Sequence, residues 1–126
     1  MSRIVHLAVK VDDLEAATRF YTEVFGFTEV KTGRNRQHIS RHMTDGHIDF
    51  TLMKYDSEES HEAQLAGPGP RLHHWGVTVD DQELAAEKIK QYGGEILSAK
   101  GEGALKFRAP DGTIAEVVKP GRYNEK

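Results

Sequence analysis

The chain has 126 residues with 17 basic and 20 acidic side chains, a formal net charge of −3, so it is long enough for one shared core and too short for two independent ones. That balance carries no electrostatic footprint for nucleic acid or an anionic membrane, which leaves small molecules and protein partners. There is no cysteine, so disulfides are excluded and any metal must be held by nitrogen and oxygen.

Residues 4–13, IVHLAVKVDD, alternate along a first strand, with Leu7, Val9 and Val11 on one face and His6, Ala8 and Lys10 on the other. Asp12 and Asp13 are natural caps for a helix whose apolar face is Leu14, Ala17, Phe20, Tyr21 and Val24, closed by Gly26. A second strand is expected over 27–31, a turn at Gly33, Arg34 and Asn35, and a polar strand over 37–43. Asp45-Gly46 then makes a hairpin into a fourth strand over 47–55. Residues 57–71, acidic and then GPGP, have the composition of a linker.

Residues 72–81, LHHWGVTVDD, repeat the opening, matching His6 to His74, Val9 to Val77, Val11 to Val79 and Asp12-Asp13 to Asp80-Asp81. A helix over 82–92 is expected to bury Leu84, Ala85, Ile89 and Tyr92. Strands over 95–99 and 105–108 follow, and Asp111-Gly112 turns the chain into a last strand over 113–119. The chain therefore reads as two β-α-β-β-β modules, over about 1–56 and 72–120, in one α+β domain. No stretch approaches the roughly 20 apolar residues of a membrane span, and a soluble, cytoplasmic protein is expected.

On the last strand Glu116 interrupts an apolar run, which needs a reason. With His6 and His74 at equivalent points of a duplicated module, it completes a two-histidine, one-carboxylate set suited to a divalent metal.

The segments HLAVKVDDLEAATRFYTEVFGF, HWGVTVDD and FRAPDGTIAEVV resemble the vicinal oxygen chelate superfamily, which contains glyoxalase I, methylmalonyl-CoA epimerase, extradiol dioxygenases and bleomycin-resistance proteins. The resemblance covers roughly residues 4–120. It implies two βαβββ modules in a curved mixed sheet around a metal-binding cavity, with ligands from the first and last strands of each module: His6, His74 and Glu116. A fourth place falls on the last strand of the first module. Counting from the Asp-Gly turn puts Phe50 there, whereas strand parity turns Phe50 towards the helix and Asp49, Thr51 and Met53 towards the cavity. Asp49 is then a metal ligand, or a group that orients a ligand or a metal-bound water.

The resemblance further implies a divalent ion (Fe²⁺, Mn²⁺, Ni²⁺, Co²⁺ or Zn²⁺) chelating two adjacent oxygens of a small substrate. Lyase or isomerase chemistry is expected, with Glu116 also serving as base. The alternatives are a ring-cleaving extradiol dioxygenase using Fe²⁺ and a non-catalytic, drug-binding protein of the bleomycin-resistance type. The extradiol acid-base histidine and tyrosine are not matched, since Ile48 or Asp49 and Leu105, Lys106 and Phe107 stand at those places. His73 is expected to point away from the cavity, His38 and His42 to share a face with Ser40, and Arg34, Arg36 and Arg41 to be candidates for a substrate anion. Open sheet edges and apolar surface, with the family's habit, point to a homodimer, each site lying within one chain or shared between two.

Overall fold

The computed structural model describes residues 2–98 and 103–126. Among them the elements run β1 (Arg3–Lys10), α1 (Leu14–Phe25), β2 (Thr28–Asn35), β3 (His38–Thr44), β4 (Asp49–Tyr55), α2 (His61–Gln64), β5 (Arg71–Thr78), α3 (Gln82–Gln91), β6 (Glu95–Ile96), β7 (Leu105–Arg108) and β8 (Ile114–Val118). This is the expected α+β pattern, with β-α-β-β-β occurring twice. One mixed sheet has the order β2-β3-β4-β1-β5-β8-β7-β6. Its two central strands, β1 and β5, are antiparallel, and each is flanked by the last strand of its own module in parallel. The repeat thus becomes a two-fold-like arrangement, with both histidine strands at the centre.

The helix starts follow the sequence closely. The Asp13 carboxylate accepts from the Ala16 N–H at 3.0 Å, and the Asp81 carboxylate does the same for Leu84, each satisfying a donor that a helix leaves free. Gly26, at φ 74°, ends α1 in the left-handed conformation. The Tyr21 ring of α1 meets Phe50 of β4 at 4.8 Å, while Ile89 of α3 packs on the Trp75, Phe107, Ala115 and Val117 cluster. Both helices therefore cover the face opposite the histidines.

Three expectations are corrected. Strand β2 runs through Gly33 to Asn35, because Gly33 pairs with Ser40 and the turn is made by Arg36 at φ 44°. Strand β4 starts at Asp49 rather than at residue 47, because the Asp45 carboxylate accepts from the N–H groups of His47 and Ile48 and holds both in the turn. Leu84 and Tyr92 are 47% and 72% exposed, since α3 leans on the two-residue strand β6 and only a narrow stripe of it is covered. The strand expected over 95–99 is described as far as Ile96 and Leu97, whose N–H bonds to the Lys106 carbonyl; Ala99 lies outside the described residues.

The segment read as a linker is folded onto the histidine face. Ser60 caps α2 by accepting from Ala63 N–H, and Ala63 packs with Ala8, Met53 and Tyr55. Lys10, 2% exposed, donates from Nζ to the carbonyls of Ala63 (2.7 Å) and Gly67 (2.9 Å) and to the Glu58 carboxylate (2.9 Å). All three ammonium protons are thereby used.

The β1–β5 pairing is interrupted twice, between Ile4 and His6 and between Ala8 and Val9, where the partners step from His74 to Leu72. One extra residue is left on each strand, Val5 on β1 and His73 on β5, and these two are equivalent in the repeat. A bulge locally re-aims the side chains around it.

Candidate metal centre

Four neighbouring strands bring the predicted residues together. His6 Nε2 and His74 Nε2 are 3.1 Å apart, and each lies 3.7 Å from Glu116 Oε1. Metal–ligand bonds of roughly 2.0 to 2.2 Å place neighbouring donors roughly 3.0 to 3.5 Å apart, so this triangle is within a few tenths of an ångström of what one cation requires. All three side chains are buried, and a buried carboxylate facing two imidazole nitrogens suits a divalent ion of borderline softness. Space for His6 comes from Gly76, directly opposite on β5: a Cβ there would sit 3.0 Å from His6 Cβ.

Asp49 faces the same side but stands behind His6, outside the triangle. Its Oδ2 is 2.5 Å from His6 Nδ1, Thr51 donates to the same oxygen, and His42 Nδ1 lies 2.8 Å from Oδ1. Register explains this placement. Ala8 pairs with Thr51 and its repeat equivalent Gly76 pairs with Glu116, so Thr51 holds the place that matches Glu116, and Asp49 matches Ile114. The turn count fails because β4 starts four residues after Asp45, whereas β8 starts three residues after Asp111. Phe50 faces α1, as parity requires.

Two further residues escape the sequence reading. Tyr123, beyond the last strand, stacks on the His6 ring at 4.4 Å with 13° between planes, and its hydroxyl donates to Glu116 Oε1 at 3.0 Å. Its only sequence signal is the Pro120-Gly121 pair that turns the chain back. His73 is 2% exposed and lies beside His74 instead of pointing away, because it is the bulge residue of β5. Arg34 pairs with Asp56 and Arg41 with Glu15 and Glu29, so these two arginines are engaged away from the centre. A cleft lined by Ala66, Leu72, His73, His74, Thr113 and Ile114 reaches His74.

The electrostatics favour an ionised carboxylate at Glu116 and oppose a charge on His73 and His74. Burial opposes the charge on Glu116, but His74, His6 and Tyr123 outweigh it and hold its pKa at about 2. Burial likewise opposes the charge on Asp49, and His42, His6 and Thr51 hold it well below the usual carboxylate range. Burial pushes His74 down against the pull of Glu116, and it lowers His73 to about 4. Below the ordinary histidine value of 6.5 the unfolded chain binds a proton that native His73 refuses, so stability falls as pH drops from 6.5 towards 4. The loss approaches ~3 kcal/mol at the lower end. Urea titrations of metal-free protein at pH 7 and pH 5 should show a lower midpoint at pH 5; equal midpoints would contradict a buried neutral His73.

The model of the Glyoxalase/Bleomycin resistance protein/Dioxygenase superfamily matches residues 3–117, and the chain belongs to that superfamily, also called the vicinal oxygen chelate superfamily. A relative named a probable lactoylglutathione lyase, from Vibrio parahaemolyticus serotype O3:K6 (strain RIMD 2210633), is 28% identical over 127 residues, covering 92% of this chain and 89% of its own. Among solved structures, the fold is similar to methylmalonyl-CoA epimerase from Mycobacterium tuberculosis (18% identity, TM-score 0.75, 93% of this chain and 87% of that one). A hypothetical protein from Bacillus halodurans C-125 gives 17% identity and a TM-score of 0.78 over 99% of both chains. A Streptomyces coelicolor methylmalonyl-CoA epimerase variant in complex with 2-nitronate-propionyl-CoA gives 21% and 0.76, over 93% of this chain and 96% of that one. Among the described residues no helix is long and apolar enough to cross a membrane.

Proposed function

We propose that this chain is a divalent-metal-dependent enzyme acting on a small substrate with two adjacent oxygens, in a lyase or isomerase reaction. The observation that carries this reading is the buried triangle of His6 Nε2, His74 Nε2 and Glu116 Oε1. The names of the similar proteins, a lyase and epimerases, support the same class. Held by His6, His74 and Glu116, a divalent ion would supply Lewis acidity towards the two adjacent oxygens of the substrate.

The chain's own groups do the rest. Asp49 accepts a hydrogen bond from His6 Nδ1–H, which leaves the Nε2 lone pair directed at the centre. Glu116, ionised at neutral pH, accepts a proton from the carbon beside the chelated oxygens and returns it. Tyr123 donates to Glu116 Oε1 and stacks on the His6 ring, so it holds both side chains in place at the centre.

Elemental analysis after purification, followed by an activity screen of metal-depleted protein reloaded with Fe²⁺, Mn²⁺, Ni²⁺, Co²⁺ or Zn²⁺, tests this reading. About one ion per chain and metal-dependent turnover are expected. A chain that takes up no metal would instead support the drug-binding reading, and turnover confined to Fe²⁺ with O₂ the dioxygenase one.

The proposal extends to a homodimer. Phe20, Val24 and Phe25 of α1 and Val30 of β2 are each more than half exposed, and β2 and β6 are sheet edges that a symmetric partner would cover. Light scattering should give a mass near twice 14.1 kDa. Because one chain brings His6, His74 and Glu116 together, mixing His6→Ala with Glu116→Ala should leave both inactive. Recovered activity would mean that sites are shared between chains.

A further inference from the structure

Under the repeat, the two central histidines are supported differently. His6 has the Asp49 carboxylate on Nδ1, but the equivalent of Asp49 on β8 is Ile114, which has no polar atom. Left there, His74 Nδ1 would be a buried group without a partner, at a cost the fold avoids. The β5 bulge resolves this. Where its counterpart Val5 is apolar, His73 brings Nδ1 to within 2.8 Å of His74 Nδ1.

The other end of His73 sets the direction of that bond. His73 Nε2 lies 2.9 Å from the Glu62 carbonyl oxygen, which can only accept, and 3.5 Å from the Tyr55 hydroxyl, at the limit of a hydrogen bond. The shorter contact places the proton of His73 on Nε2. A neutral imidazole so protonated offers a lone pair at Nδ1, and His74 then donates its Nδ1–H and keeps the lone pair of Nε2 for the centre. We infer that His73 is a positioning residue that fixes His74 in the metal-binding tautomer, taking in the second module the part that Asp49 takes in the first. Because Glu62 belongs to α2, the segment between the modules is part of this support.

The inference rests on the metal reading above, and zinc alone is the probe. The affinity of the full chain is measured by competition with a chromophoric chelator, and the ring protons of the zinc-loaded protein by two-bond ¹H–¹⁵N correlation. His73 should carry its proton on Nε2 and His74 on Nδ1. His73→Asn, whose Oδ1 takes the place of Nδ1, should keep zinc affinity close to that of the original chain. His73→Gln, whose amide reaches only the Nε2 place, and His73→Leu should each lose about 10- to 100-fold. If the leucine variant does not fold, the contrast between asparagine and glutamine still decides. Equal affinities for those two, undiminished affinity in His73→Leu, or a proton on His73 Nδ1 would overturn the inference. Failure of the original chain to bind zinc or any of the other four ions would instead refute the metal reading, and the inference with it.

Discussion

Replacing His74 or Glu116 by alanine should abolish stoichiometric metal uptake and lower turnover by about 10³-fold or more, since the charge stabilisation at stake is several kcal/mol and each 1.4 kcal/mol is a factor of ten. Both side chains contribute one corner of a triangle with sides of 3.1, 3.7 and 3.7 Å, and no other histidine or carboxylate among the described residues joins them in a metal-binding group. Asp49→Ala should be milder, with metal affinity down about 10- to 100-fold, because it frees the His6 ring without removing a donor. Glu116→Gln separates roles: it keeps the shape and an oxygen but loses the charge and the base, so residual metal binding with no turnover is expected. Metal stoichiometry and kcat measured on the same preparations would check the order. An Asp49→Ala variant as severe as His74→Ala would make Asp49 a ligand, and a Glu116→Ala variant with full metal content would remove Glu116 from the set.

Much of this centre was legible because the repeat and strand alternation are one-dimensional signals. His6 and His74 stand at the same point of a duplicated strand, and alternation turns both, with Glu116, to one face. Register is another matter. It depends on how many residues each hairpin spends before re-pairing, and the two Asp-Gly turns sit at different distances from the strands that follow them, so Thr51 rather than Phe50 falls opposite Ala8, while parity alone leaves Asp49, Thr51 and Met53 undivided. Bulges are equally hidden, since Val5 and His73 read as ordinary strand residues until the β1–β5 pairing shows each as the extra one. Tyr123 follows the last periodic segment and reaches the site only through the return of the chain, where the Lys126 N–H bonds to the His47 carbonyl at 2.9 Å. Side-chain partnership over long sequence distance leaves no periodic trace. Lys10 shows the same limit, as a lysine on the polar face of a strand has the pattern of a solvated one.

Substituting that lysine, Lys10→Met, should destabilise the protein by about 3 kcal/mol. The replacement keeps most of the apolar stem but strands the buried carbonyl of Ala63 and the part-buried one of Gly67, and an unsatisfied buried acceptor costs about 1 to 3 kcal/mol. Glu58, half exposed, turns to water and adds little. The loss should be local before it is global: residues 57–71 are tied to the sheet through the Lys10 ammonium, Ala63 and the Glu62 carbonyl. Amides of this segment should therefore exchange faster in Lys10→Met, while those of β1 and β5 keep their protection. Urea denaturation and hydrogen exchange on the metal-free chain would measure both effects. An unchanged midpoint with unchanged exchange over 57–71 would show that Lys10 does not anchor this segment, and α2 would then have to be held by the packing of Ala63 and the His73–Glu62 hydrogen bond.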